Sequence, residues 1–185
     1  SAKTDVFLIN KQMGQNELRL NSRDLLVRSV IDLQSQDSLR FSSDSLLLTI
    51  QLPKRKFKGD TLIVRVDYSV KEPLKGLHFK SNHNFYTEGR SQIYTDHQPS
   101  DIQYWLPTLD SPAQKATVEF WLTVPDSLQS LATGILLQQE SIKQNKRTDY
   151  WTLNQAQSPY LWGFVIGNTS KTQIIYSKKL IEYHS

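Results

Sequence analysis

The chain has 185 residues, a net charge of +4 and 38% hydrophobic residues, which fits one domain with a real core. It contains no cysteine, so disulfides and thiolate metal sites are excluded. No apolar run reaches the length of a membrane-spanning helix, and Ser1-Ala2-Lys3 opens no targeting segment.

Strand periodicity recurs along the chain. Val6–Ile9, Leu25–Leu33 and Leu46–Leu52 predict early strands. The basic run Lys54-Arg55-Lys56-Phe57-Lys58, with Gly59-Asp60 after it, reads as a solvated loop between strands rather than a phosphate-contacting patch. Leu62, Val64, Val66 and Tyr68 then alternate with Ile63, Arg65, Asp67 and Ser69, the period of a sheet with one buried face. The polar stretch from Lys80 to Ser91 predicts a long loop. Val118, Phe120, Leu122 and Val124 make a second alternating row. Gln129 to Gln139 has the length of a helix, but Thr133-Gly134 at its centre predicts two short strands. Lys143 to Arg147 reads as a turn, Tyr160, Trp162, Phe164 and Ile166 as a third row, and Gln173–Tyr183 as a last run. Short strands with regular turn signals imply an all-β fold. The expected form is an antiparallel β-sandwich or saddle of two packed, twisted sheets spanning residues 1–185 as a single domain.

The motifs of common catalytic sites are missing. His78, His83, His97 and His184 do not form the H-E-x-x-H pair that presents two imidazoles from one helix face. There is no G-x-S-x-G elbow and no phosphate-cradling glycine loop. The expectation is therefore no catalytic residue and no metal ligand in this chain. Trp105, Trp121, Trp151 and Trp162 raise a second possibility, an aromatic platform for sugars. Trp162 belongs to an apolar row, and Trp121 lies on the polar phase of its strand, where it covers a second layer or meets a neighbouring domain. Asn168-Thr169-Ser170 matches a glycosylation acceptor, a triplet common by chance.

Residues 94–125 carry the most specific signal. Tyr94-Thr95 is followed by Trp105-Leu106-Pro107, Asp110-Ser111-Pro112-Ala113, Lys115-Ala116-Thr117 and Thr123-Val124-Pro125. In this order the segments resemble the N-terminal domain of the M1 family of zinc aminopeptidases. Gly76-Leu77-His78-Phe79, Leu131-Ala132-Thr133-Gly134, Arg147-Thr148-Asp149-Tyr150-Trp151 and Ser158-Pro159-Tyr160-Leu161 extend the resemblance over nearly the whole chain.

The resemblance implies a non-catalytic β domain that leans over the catalytic domain of the same parent chain, with the zinc and its ligands in that other domain. Both ends look cut, with a first strand missing and Leu180-Ile181-Glu182-Tyr183 leading toward the catalytic part. Family members carry Thr-Gln-x-Glu where this chain has Thr95-Asp96-His97-Gln98, so amide and acid have traded places. The resemblance makes Asp96 and Gln98 the substrate-binding candidates, directed at the free α-amine of a peptide. It implies no nucleic acid partner and no membrane span. The exchange leaves two rivals: a catalytically dead M1-like scaffold, and a free-standing sugar- or protein-binding module.

Overall fold

Leu62, Val64, Val66 and Tyr68 point into the core from one face of a strand, β6 (Thr61–Ser69), as their period requires. This computed structural model describes residues 2–11, 14–80, 92–168, 171–176 and 179–184, the last two segments as backbone. The predicted long loop from Lys80 to Ser91, with His83, lies almost wholly outside the described residues, as does most of the Asn168-Thr169-Ser170 triplet. The fold is all-β and antiparallel, and its residues group into two compact units.

The first unit comprises Ser1–Leu77, Asp96–Lys115 and Gln157–Leu161. β6 is the centre of a three-stranded sheet between β1 (Ala2–Ile9) and β3 (Leu26–Asp32). A second sheet places β5 (Leu47–Lys56) between β2 (Gln15–Asn21) and β4 (Phe41–Ser43). Leu20, Leu48 and Ile50 from that sheet meet Val30, Val64 and Val66 from the first in one buried cluster, so the unit is a sandwich. Tyr68 is enclosed there, and burial pushes its phenol well above the ordinary range.

The second unit comprises His78–Thr95, Ala116–Ala156 and Trp162–Ser185. Its four-stranded sheet runs β10 (Gln129–Ala132), β13 (Phe164–Gly167), β8 (Gln92–Asp96), β7 (Gly76–Lys80). A three-stranded sheet runs β11 (Ile135–Ile142), β12 (Lys146–Gln157), β9 (Ala116–Pro125). Phe120 of β9 meets Phe164 of β13 edge-on at 6.1 Å, which joins the two layers. β14 (Lys171–Tyr176) and β15 (Lys179–His184) form a hairpin, so the single run expected over Gln173–Tyr183 is two paired strands.

Several local expectations are corrected. The row from Tyr160 to Ile166 is interrupted: Pro159–Leu161 form a 3₁₀ turn and only Phe164–Gly167 are extended. Pro159 lacks the N–H a ladder needs and presets φ for a turn. The Lys54–Lys58 run is mostly strand, since β5 continues to Lys56 and only 57–60 turn. Lys146 and Arg147 likewise open β12 rather than belonging to the turn before it. The split of Gln129–Gln139 into two strands holds. At Gly134 φ is +111°, and an added Cβ would stand 2.2 Å from the Thr152 carbonyl oxygen.

Candidate functional site

β8 ends at Asp96, and the chain then turns through a segment anchored by apolar side chains. His97 is 4% exposed and sets its ring against Trp105, centroids 5.7 Å apart. Ile102, Tyr104, Trp105 and Pro107 are buried after it, around a 3₁₀ turn over Ile102–Tyr104. The Asp101 amide donates to the His97 carbonyl at 3.0 Å and closes the turn between them. Asp96 and Gln98 stand exposed on either side of the buried His97. Asp96 is the last residue of the strand and Gln98 already belongs to the turn, so the two are exposed for different local reasons. The Gln98–Pro99 peptide is cis.

The surroundings fix this turn closely. Arg23 lays its guanidinium over the Tyr104 ring, 5.5 Å from the centroid, and donates to the Tyr104 hydroxyl at 3.2 Å. Gly76 has φ +78°, and a Cβ there would lie 2.3 Å from the Asp101 carbonyl oxygen, so only glycine lets β7 start so close. Lys75 and Asp101 pair at 3.6 Å on the surface, a contact that adds little stability. Asp110 sits in the connection that follows this turn. Its own amide donates to Asn21 Oδ1 at 3.0 Å. Its carboxyl is raised above the usual Asp range chiefly by burial and also by the charge of Asp101, against hydrogen bonding from Gln103.

The other candidates resolve one by one. His78 stacks on Tyr94 at 4.9 Å, with the Lys80 ammonium 5.1 Å from the same ring, so its imidazole is part of an aromatic contact. His184 closes β15. Trp105, Trp151 and Trp162 are buried, and Trp121 alone of the four is open, 63% exposed and stacked on Tyr150 at 4.2 Å. The tryptophans therefore form no shared platform. Among the described residues no three histidine, aspartate or glutamate side chains gather as metal ligands. These described residues do not fit a zinc site. No helix among the described residues is long and apolar enough to cross a membrane.

One buried constellation escaped the sequence reading. Asp149, fully enclosed, accepts from Ser130 Oγ at 2.6 Å, Gln139 Nε2 at 2.8 Å and Arg147 Nε at 2.9 Å. Trp151 Nε1 donates to the same Ser130 hydroxyl at 3.1 Å, and Arg147 also binds the carbonyls of Asp126 and Leu128. Every member is bonded within the unit, as a structural brace requires. The contiguous Arg-Thr-Asp signal was visible in the sequence, but nothing there pointed to Ser130.

Comparison with known proteins bears on the fold and the family. A family model for the peptidase M1 N-terminal domain matches residues 4–161. No curated protein matches the chain. An M1 zinc metallopeptidase from Deinococcus radiodurans superposes with a TM-score of 0.77 at 18% identity, covering 98% of this chain and 42% of that one. A variant of it bound to a Tyr-Ser-Ala substrate gives the same TM-score, 0.77, identity, 18%, and coverage, 98% and 42%. A two-domain M1 zinc metallopeptidase variant bound to L-arginine matches with a TM-score of 0.78 at 16% identity, again over 98% of this chain and 42% of that one. At such identities the likeness is one of fold, and this chain spans less than half the length of those proteins. The match of the family model over most of the sequence, together with the all-β antiparallel fold, establishes that the chain belongs to the peptidase M1 N-terminal domain family.

Proposed function

We propose that this chain is the non-catalytic β domain of an M1-type zinc aminopeptidase, capping one side of the active-site cleft and helping to hold the free α-amine of a peptide substrate. The catalytic domain of the same parent chain is its partner. The zinc, which in such enzymes activates water for attack on the peptide bond, is held by residues outside this chain. The reading rests on Asp96 and Gln98 standing exposed beside a buried His97. A carboxylate suits an ammonium group because it accepts charge-assisted hydrogen bonds from it. Asp96 supplies the negative charge that Gln98 lacks, and Gln98 offers a longer neutral arm beside it. The His97 ring, seated against Trp105, limits the freedom of the segment and lowers the entropy lost on binding.

The test uses the full-length protein and a panel of aminoacyl reporter amides, with and without a zinc chelator. Chelator-sensitive release is the expected result. Asp96→Asn is then expected to raise KM for free-amine substrates about tenfold or more, the weight of a hydrogen bond to a charged group. An unchanged KM removes Asp96 from amine binding. The exchange of acid and amide at Asp96 and Gln98 favours one second reading, a catalytically inactive scaffold of the same fold. No release by a folded, zinc-supplied protein would establish that reading instead.

A further inference from the structure

The basic run at the end of β5 has no part in the amine-binding reading, and the structure gives it unexpected company. Asn10 Nδ2 donates to the carbonyls of Lys56 and Phe57, both at 3.1 Å, and so ties the end of β1 to the turn after β5. The backbone reinforces the tie: Gly59 N donates to Asn10 O at 2.8 Å and Asn10 N to Asp60 O at 2.9 Å. Asp60 Oδ2 also accepts from the Phe57 amide at 2.8 Å, closing the turn on itself. Phe57, 51% exposed, is thereby presented at the first position of a fixed turn whose tip is Lys58-Gly59, and the turn is tied to the end of β1, where Ile9 is 68% exposed.

The same two segments carry most of the local cations. Lys11, Lys54, Arg55 and Lys58 are exposed, and Arg55 is steadied by donating Nε to the Gly14 carbonyl at 2.8 Å. With the half-buried Lys56, the residues at 9–11 and 54–60 hold five basic groups against the single carboxylate of Asp60, itself engaged by the Phe57 amide.

We propose that this corner of the first unit, with exposed Phe57 and Ile9 and with Lys11, Lys54, Arg55 and Lys58 exposed on the same two connected segments, is a docking surface for an anionic lipid bilayer. Negative headgroups attract the cations, and the exposed aromatic enters the headgroup boundary, where an apolar side chain leaves water. A nucleic acid would use the cations through its phosphates and an aromatic through base stacking, but has no comparable use for the exposed aliphatic Ile9. Docking of this kind requires no membrane-spanning segment: the protein lies on the surface. Because the turn is already braced by Asn10 and Asp60, little ordering is left to be done on contact.

The test is flotation of the full-length protein with vesicles of phosphatidylcholine alone or containing about one-third phosphatidylserine, a composition that raises the negative surface potential. Recovery with the anionic vesicles only, released by raised salt, is the expected result. Each lysine contributes about fivefold to such partitioning, so Lys54→Gln with Lys58→Gln is expected to weaken it roughly 25-fold. Phe57→Ser, which keeps the charge, is expected to weaken it as well. Both variants change exposed side chains, and an unaltered circular dichroism spectrum verifies their folding. Equal recovery on both vesicle types, or recovery indifferent to the lysine pair, overturns the proposal. So does loss with the lysine pair but none with Phe57→Ser, which would mark a simple polyanion site such as one for nucleic acid or an acidic protein.

Discussion

Ser130 and Asp149 meet at 2.6 Å, hydroxyl to carboxylate, with both side chains buried and with Arg147 and Gln139 bound to the same acid. Among the described residues of the second unit, Asp149 is the one charged group that is wholly enclosed, and its carboxylate is bonded on both oxygens. Asp149→Ala removes an acceptor from three donors at once and leaves the Arg147 guanidinium, its side chain only 12% exposed, without its counter-charge. The expected loss of stability is about 3–5 kcal/mol, the usual consequence of breaking a buried pair from one side. Urea denaturation followed by tryptophan fluorescence measures it. A loss below about 1 kcal/mol would mean that water replaces the carboxylate and that the brace is not one.

Gly134 and Gly59 separate two causes of glycine's necessity. Both have positive φ, +111° and +95°, but a Cβ at Gly134 would stand 2.2 Å from the Thr152 carbonyl oxygen, whereas nothing lies within 4 Å of one at Gly59. Gly59→Ala should therefore lose only the backbone strain, about 1–2 kcal/mol. Gly134→Ala adds a clash with main chain that has nowhere to go, and should lose more than that. Thermal melting of the two variants side by side checks the order. Equal losses would show that the β10–β11 connection relaxes around the added methyl.

Much of this fold was legible in the sequence, and the failures have physical reasons. The row from Leu62 to Tyr68 was unambiguous because one face of β6 is buried against the other sheet, which enforces strict alternation. β2, Gln15–Asn21, gave no comparable signal: it lies at the edge of its sheet, and only Leu20 is fully buried in it. The row at Tyr160 misled because apolar spacing continues across a proline turn that ends the strand. At the candidate site, a period of two predicted Asp96 and Gln98 on one side; both are exposed, but the strand ends at Asp96 and Gln98 lies in the turn after it, where that period no longer applies. The ring that anchors the segment was not foreseen, since His97 meets Trp105 only through the turn closed at Asp101. The brace at Asp149 was beyond reach because Ser130 lies on a strand of the other sheet.

Asp110 gives the protein a defined acid–base signature. Its carboxyl is raised above the ordinary Asp value of 3.8, chiefly by burial, so the folded state binds its proton more readily than the unfolded state does. The sign follows from linkage: such a group opposes folding when ionised. Its penalty is absent below the unfolded value and grows as pH rises through the folded one. Asp110→Asn keeps an acceptor for Gln103 and removes the charge. It is therefore expected to be more stable than the parent at neutral pH, with the advantage shrinking to nothing as pH falls below about 4. Denaturation midpoints across that range check it. An advantage that persists in acid would point to a cause other than the buried charge.

The last prediction concerns the exchanged pair. If Asp96 compensates for the amide at Gln98, the two positions are coupled, and each substitution should depend on the other. Asp96→Asn alone removes the only negative charge of the pair and is expected to raise KM for free-amine substrates of the full-length protein. Gln98→Glu made in that background restores a carboxylate at the position where family members carry one, on a longer arm. It should therefore recover most of the affinity. The same Gln98→Glu in the presence of Asp96 places two carboxylates near one ammonium, and their mutual repulsion limits the gain, so its effect should be smaller than in the Asn background. N-acetylated substrates, which lack the ammonium group, should respond to none of the three variants. Additive effects across the cycle would show that Asp96 and Gln98 act on different parts of the substrate and would end the compensation argument, whereas a response of the acetylated substrates would point to a change in the shape of the segment around His97.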